Sequence, residues 1–252
     1  MNGLTAAFWI AATVLISIAG VGIIRRLIPF RETHNSVAGA IYSVLGVLYA
    51  VLLAFVVFAV WEEYDRAQAN VSLEAALISD LYRDAHIMPE PTASQLRSAL
   101  ETYTRLVHET EWPQLGAGDA SNEARQALRS VWQAMAAAQP VSTTQQAWYS
   151  AMIERLNDLA EVRQERLHAS RTHLPTAMWV VLIFGAIVTI GFSYIFGLEP
   201  AWLHIAMVGM LSATLALILV LIAALDHPFV GITRITPDAF EQLAPVFQVW
   251  RQ

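Results

Sequence analysis

Four carboxylates, Glu154, Asp158, Glu161 and Glu165, recur at three- and four-residue intervals, the spacing of one helix face. Such a row could hold a cation such as calcium. Calcium wants converging oxygens, usually from a loop with glycine, and a straight helix does not converge them. The row therefore reads as a solvated face paired with Arg155, Arg163 and Arg166. The seven histidines form no HExxH pair or other ligand spacing, and His168 and His173 stand five apart, poor for one helical face. There is no GxxxxGK[ST], GxGxxG or GxSxG, and no cysteine for thiol catalysis or disulfides. These absences assign no catalytic residue, no metal ligand and no cofactor, and the expectation is a protein that is not an enzyme.

The elements that carry these residues are mostly apolar. Of 252 residues, 56% are hydrophobic and 14% charged, against about 25% charged for a typical soluble domain. Mean hydropathy is +0.47. The basic residues are all arginine and the net charge is −6, which argues against nucleic acid as a partner. Four stretches, Leu4–Ile24, Val37–Trp61, Ala177–Phe196 and Trp202–Leu225, are free of Asp, Glu and Arg. Each matches the roughly 20 residues needed to cross the hydrocarbon core of a bilayer. His204 is the only titratable group inside them apart from tyrosines. A cleaved signal peptide would begin with basic residues, whereas Arg25 and Arg26 follow the first apolar run, so that run reads as a retained span.

The chain divides into 1–61 with two spans, a polar insert 62–176, 177–225 with two more spans, and a tail 226–252. The insert holds 10 Arg and 16 Asp plus Glu, so the whole net charge lies there. Helix breaks fall at Pro89 and Pro91, at Pro113 with Gly116 and Gly118, and at Pro140. Between them the apolar spacing is helical: Leu96, Leu100, Tyr103 and Val107, then Trp148, Met152, Leu156, Leu159 and Val162. Ser121 with Asn122 starts a helix running to about 138, and a last insert helix covers about 143–172 and leads to Pro175. Nothing stops the second span from continuing as helix through 62–87. With four spans, both termini and the insert share one side. Arginines near the span ends favour a cytoplasmic insert, five against three. Asp226, at the end of the fourth span, needs a partner at that boundary, and Arg83, Arg166 and Arg234 are candidates, with plain solvation as the alternative.

The second span carries two stripes. Gly39, Ser43, Gly46, Ala50 and Ala54 form a small-residue face suited to close helix packing in lipid. Beside it, Val47, Val51 and Phe55 form a bulky apolar stripe. Alone, such a stripe faces lipid or core; ringed in an oligomer, it is a constriction that gates by dewetting.

The run Gly46 to Phe55, continuing to Trp61, resembles the pore-lining helix of bestrophin anion channels. The wider pattern resembles the bacterial bestrophin-like membrane family. Its marks are LGVLYAVLLAFVV, Trp61 with Tyr64, Glu74-Ala75-Ala76, Leu81-Tyr82-Arg83, Glu111-Trp112-Pro113, Arg163 to Leu167, and Asp226 to Gly231. The resemblance implies an all-α membrane protein of four transmembrane helices with a helical cytoplasmic insert between the second and third. It implies a homo-oligomer, a pentamer, in a bacterial inner membrane, passing small anions such as chloride through a neck at Val47, Val51 and Phe55. Two departures stand out. The tail after Gly231 has only Asp238 and Glu241, so the family's calcium clasp does not transfer, and Val56 to Val60 extend the apolar run past Phe55. Arg25, Arg26 and Arg31 are candidates for an anion-attracting mouth, or for interface anchors that snorkel. The alternatives are a non-conducting scaffold or sensor whose insert binds a partner and, more remotely, a membrane-bound enzyme.

Overall fold

The computed structural model describes residues 2–27, 35–196 and 200–250, with side chains of 35–37 left aside. Arg31 and His34 lie outside the described residues. The described chain is all-helical: α1 Gly3–Leu27, α2 Asn35–Asp84, α3 Thr92–Leu106, α4 Trp112–Leu115, α5 Asn122–Ala136, α6 Thr143–Ala169, α7 Thr176–Ser193, α8 Ala201–Leu225, α9 Asp238–Glu241 and α10 Leu243–Trp250. Four of these, α1, the apolar part of α2, α7 and α8, are long and apolar enough to cross a membrane. The protein is an integral membrane protein. The chain forms two compact units, Met1–Glu63 with His173–Asp226 and Gly231–Thr233, and Tyr64–Thr172 with His227–Val230 and Arg234–Gln252.

In the first unit, one face of α2 packs on α7 and α8. Tyr49, Leu53, Val56 and Val60 are buried with Leu182, Ala186, Ile190, Leu215 and Ile222. The Tyr49 hydroxyl donates to the Leu182 carbonyl at 2.7 Å. That tyrosine lies against Gly185, where an added Cβ would overlap the ring. Gly185→Ala is therefore expected to cost about 1–3 kcal/mol through overpacking, read as a lower melting point in detergent. Tyr49→Leu in the same chain should restore part of it. On α1, Gly20 gives room to the Tyr194 ring, whose atoms lie 2.8–2.9 Å from where a Cβ would be.

In the second unit, α2 continues without a break from the apolar run to Asp84, as nothing in 62–87 opposes a helix. Its inward residues Ala67, Val71, Ile78, Leu81 and Tyr82 join Leu96, Leu100 and Tyr103 of α3, Val107 just after it, and Met152, Leu156 and Leu159 of α6 in one core. Ser121 caps α5 by accepting from the Ala124 amide at 3.1 Å, and Ser142 caps α6 by accepting from Gln145 at 3.1 Å. Ile235, Phe240, Leu243 and Phe247 of the tail complete this core. The break expected at Pro113 with Gly116 and Gly118 falls at its glycines. The chain stays helical through a π turn at Val107–Glu111 and then α4, because Pro113 falls in the first turn of α4, where its missing N–H is tolerated. The turn comes at Gly116 to Gly118, and the φ of +76° at Gly118 suits glycine.

Candidate functional site

Viewed down the axis at 100° per residue, the apolar half of α2 has four distinct sides. Tyr49, Leu53, Val56 and Val60 mark the buried side. Val47, Val51 and Phe55 lie about 180° away by that spacing, and they are 63%, 50% and 70% exposed. On one flank lie Gly39, Ser43, Gly46, Ala50 and Ala54. Ser43, Ala50 and Ala54 are exposed, and a Cβ on Gly46 would meet nothing within 4 Å. On the other flank, Ile41, Val44, Leu48 and Leu52 line an apolar groove of about 670 Å³ with Val181, Phe184 and Val188 of α7. Within one chain, then, the apolar half of α2 packs chiefly through its Tyr49, Leu53, Val56 and Val60 side.

Arg25 and Arg26 lie in the last turn of α1, where a cation meets the negative end of the helix dipole. Arg25 is half-buried and Arg26 exposed. Asp226 follows α8 and is buried. Its Oδ1 accepts the Leu174 amide at 2.6 Å, just ahead of Pro175 and α7, and its carbonyl lies 2.8 Å from His173 Nδ1. The expected arginine partner gives way to this backbone contact: Arg83 pairs with Asp80 and Asp84, Arg166 pairs with Glu74 and Glu111, and Arg234 makes no ion pair among the described residues. His204 is buried, with Nε2 3.1 Å from the Ser193 carbonyl.

The second unit encloses a lattice of charges. Arg166 is fully buried; its Nε and Nη2 reach Glu74 at 2.6 and 3.1 Å, and Nη2 reaches Glu111 at 2.7 Å. Arg163 donates to the other Glu111 oxygen, which also accepts the Ser121 amide at 3.2 Å. The Tyr103 hydroxyl donates to Glu74 at 2.6 Å. Trp112 and Phe240 rings lie 5.6 and 5.9 Å from the Arg166 guanidinium carbon. The π turn ends on Glu111, bringing this carboxylate into the core. Burial alone would lower the pKa of Arg166, but the Glu74 charge and hydrogen bonds, with Tyr103 and Glu111, push it above its ordinary value. Burial, then the Glu74 charge, pushes the Tyr103 hydroxyl well above its usual value. Two carboxylates and two guanidiniums balance in formal charge, and together they tie α2, the π turn and α6 to one another.

This arrangement corrects the expected pairing on α6. Glu154, Asp158, Glu161 and Glu165 are exposed, but Arg163 and Arg166 point to the opposite, buried side. Arg155 bonds Asp84 at 2.7 Å. The arginines bind acids of other helices, and the acidic row is left to solvent. The residues that sequence reasoning passed over as a site, Glu74, Glu111, Arg163 and Arg166, were all among the residues carrying the resemblance. Their signal was charge at positions in register with apolar core residues: Glu74 sits between Val71 and Ile78 on the inward face of α2.

A family model described as a Bestrophin-like domain matches residues 11–240. No curated protein matches the chain. Among solved structures, a point variant of a bacterial bestrophin homologue from Klebsiella pneumoniae superimposes with a TM-score of 0.74 at 17% identity, covering 98% of this chain and 99% of its own. The homologue phased on zinc gives 0.70 at 17% identity over 96% and 97%. A further structure, titled a membrane protein, gives 0.71 at 17% identity over 96% and 97%.

Proposed function

Since the chain belongs to the bestrophin-like family, we propose that it is one subunit of a bestrophin-type membrane channel, passing small anions such as chloride through a neck made by α2. The observation that carries this reading is the exposed stripe Val47, Val51 and Phe55, on the side of α2 opposite its buried face. In a lone helix bundle that stripe would face lipid. In a ring, the stripe faces the axis, and the two flanks of α2 then meet neighbours: the small-residue flank of one copy against the grooved flank of the next. Such head-to-tail contacts close into rings, and a pentamer is the ring the family resemblance favours. Small residues let the backbones approach closely. Arg25 and Arg26 would hold positive charge near one mouth; Arg31 belongs to the same proposed mouth. The four segments 1–61, 62–176, 177–225 and 226–252 then serve as outer wall and neck, cytoplasmic helical insert, supporting spans, and tail. The membrane is the bacterial inner membrane.

A second reading of the ion's sign rests on one observation. By helical spacing the stripe continues into Glu62 and Asp65, both exposed, and rings of carboxylates favour cations. The test is the purified protein in a planar bilayer under a potassium chloride gradient. The proposal expects current that reverses near the chloride equilibrium potential. Reversal near the potassium potential selects the second reading. No current from a stable oligomer leaves the scaffold reading, with the insert as partner-binding surface. Orientation has its own check: a cysteine at Asn122 should resist an impermeant thiol reagent in intact cells, and labelling would reverse the topology.

A further inference from the structure

The apolar groove between α2 and α7, about 670 Å³, is lined by one hydroxyl that has no hydrogen-bond partner among the described residues, that of Thr189. Thr189 is 4% exposed. The span hydroxyls of Thr13, Ser17, Ser43, Ser193, Ser212 and Thr214 each donate to a carbonyl three or four residues back. Thr189 makes no such bond, and a hydroxyl in apolar surroundings is costly without a partner. Ser43, on the opposite flank of α2, is in the complementary state. It is exposed, and its proton is committed to the Gly39 carbonyl at 2.9 Å, so its oxygen is left as an acceptor. Beside it Gly46 has no side chain, and nothing lies within 4 Å of where a Cβ would be. One flank thus carries an unused acceptor on a low surface, and the other an unused donor in a groove.

The two hydroxyls also stand at nearly one height. α2 and α7 run antiparallel, with Tyr42 stacked on Phe192 at 5.5 Å and Tyr49 against Gly185. Counting from these two contacts puts Thr189 level with Leu45, about 3 Å of helix rise from Ser43. A closed ring about an axis running along α2 holds its copies at equal height. Thr189 of one copy and Ser43 of the next therefore come to the same level. We propose that the groove is filled by the small-residue flank of α2 from the next copy, with Thr189 donating to Ser43 Oγ of that copy. Close backbone approach over small residues, with hydrogen bonds across it, is what associates helices in lipid, where apolar contact gives no preference over the acyl chains. The contact rests on the ring of subunits argued above and adds its register.

The chain has no cysteine, so Ser43→Cys and Thr189→Cys each introduce a single thiol. When full-length chains of the two variants are coexpressed, a disulfide between them crosses a subunit boundary by construction. The purified mixture in detergent, oxidised with copper phenanthroline, should give a covalent dimer on a denaturing gel, since a disulfide needs Cα atoms within about 7 Å. Either variant alone should give none. Ala54→Cys with Thr189→Cys should give at least tenfold less, because Ala54 shares the flank but lies about 16 Å further along the helix. Thr189→Val keeps the side chain's shape and removes the hydroxyl. It should raise the dissociation constant of the oligomer about threefold per contact, the scale of one hydrogen bond between membrane helices, while Thr189→Ser should not. The native mass of the unoxidised mixture separates the failures. An intact oligomer that gives no dimer overturns the contact and leaves the groove to a lipid chain, and as much dimer from Ala54→Cys overturns it too; both results spare the channel reading. A monomer overturns the contact and the channel together.

Discussion

Glu74→Ala should lower the melting point of the protein by roughly 10 °C or more. The substitution leaves Arg166, wholly buried, with two of its three carboxylate hydrogen bonds gone and strips Tyr103 of its acceptor. Breaking one partner of a buried ion pair typically costs about 3–5 kcal/mol, because the other charge stays in low dielectric without compensation. For a chain of this size 1 kcal/mol corresponds to about 2–4 °C. Arg166→Met should cost a similar amount by leaving the buried Glu74 with Tyr103 as its remaining hydrogen-bond partner and Glu111 with one guanidinium in place of two. The discriminating variant replaces all four charges together, Glu74→Leu and Glu111→Leu with Arg163→Met and Arg166→Met. Removing every partner leaves no uncompensated charge, so this variant should melt nearer to wild type than either single change. If the single changes are silent, the lattice is not what holds these helices. A matching pH dependence follows from Tyr103. Its folded pKa lies above its ordinary value, so its contribution is complete below pH about 10 and is lost only as pH rises through the folded value. Thermal melts between pH 6 and 9 should therefore show no loss traceable to it, and Tyr103→Phe should change stability by the same amount at both ends of that range.

The second large effect concerns conduction. Val47, Val51 and Phe55 stand about 6 Å apart along the axis, four residues at 1.5 Å rise. Ringed by copies of α2, they would stack three apolar constrictions that hold back water until they widen. Cutting all three to alanine should raise ion flux in liposomes roughly tenfold or more, which corresponds to about 1.4 kcal/mol off the barrier. Phe55→Ala alone should give a smaller rise. Leu48→Ala and Leu52→Ala, on the grooved flank beside α7, should give none. An unchanged flux from a folded, oligomeric triple variant would remove the neck from these residues.

Much of the scaffold was legible in the sequence, because the signals were long and one-dimensional. Four charge-free runs, the helix start at Ser121 and the i, i+4, i+7 spacing of Leu96, Leu100 and Tyr103 needed no knowledge of what lay across the core. What escaped was pairing between distant segments. Periodicity placed Arg163 and Arg166 on a helix with four acids and suggested local ion pairs, yet the arginines turn inward to acids 52–92 residues away. Nothing local shows that, since a salt bridge within one helix and a buried one across helices have the same residue types. The break read at Pro113, Gly116 and Gly118 was right at its glycines, and only the proline lies inside a helix. Proline breaks a helix interior but suits a first turn, and the π turn before it moved the boundary by a few residues. Asp226 was recognised as needing a partner, but a backbone amide, that of Leu174, is invisible to a search for arginines.

The central claim is that the Val51 side of α2 faces a conducting axis, and the absence of cysteine from this chain makes it directly testable. Val51→Cys introduces a single thiol. Single-channel recording in a planar bilayer, before and after a small charged methanethiosulfonate reagent, reads whether that thiol lines the path. The account predicts that the reagent reduces or abolishes current in Val51→Cys within seconds, while Leu53→Cys, on the buried side of the same helix, is unaffected. Current that persists unchanged in a fully modified Val51→Cys protein would contradict it.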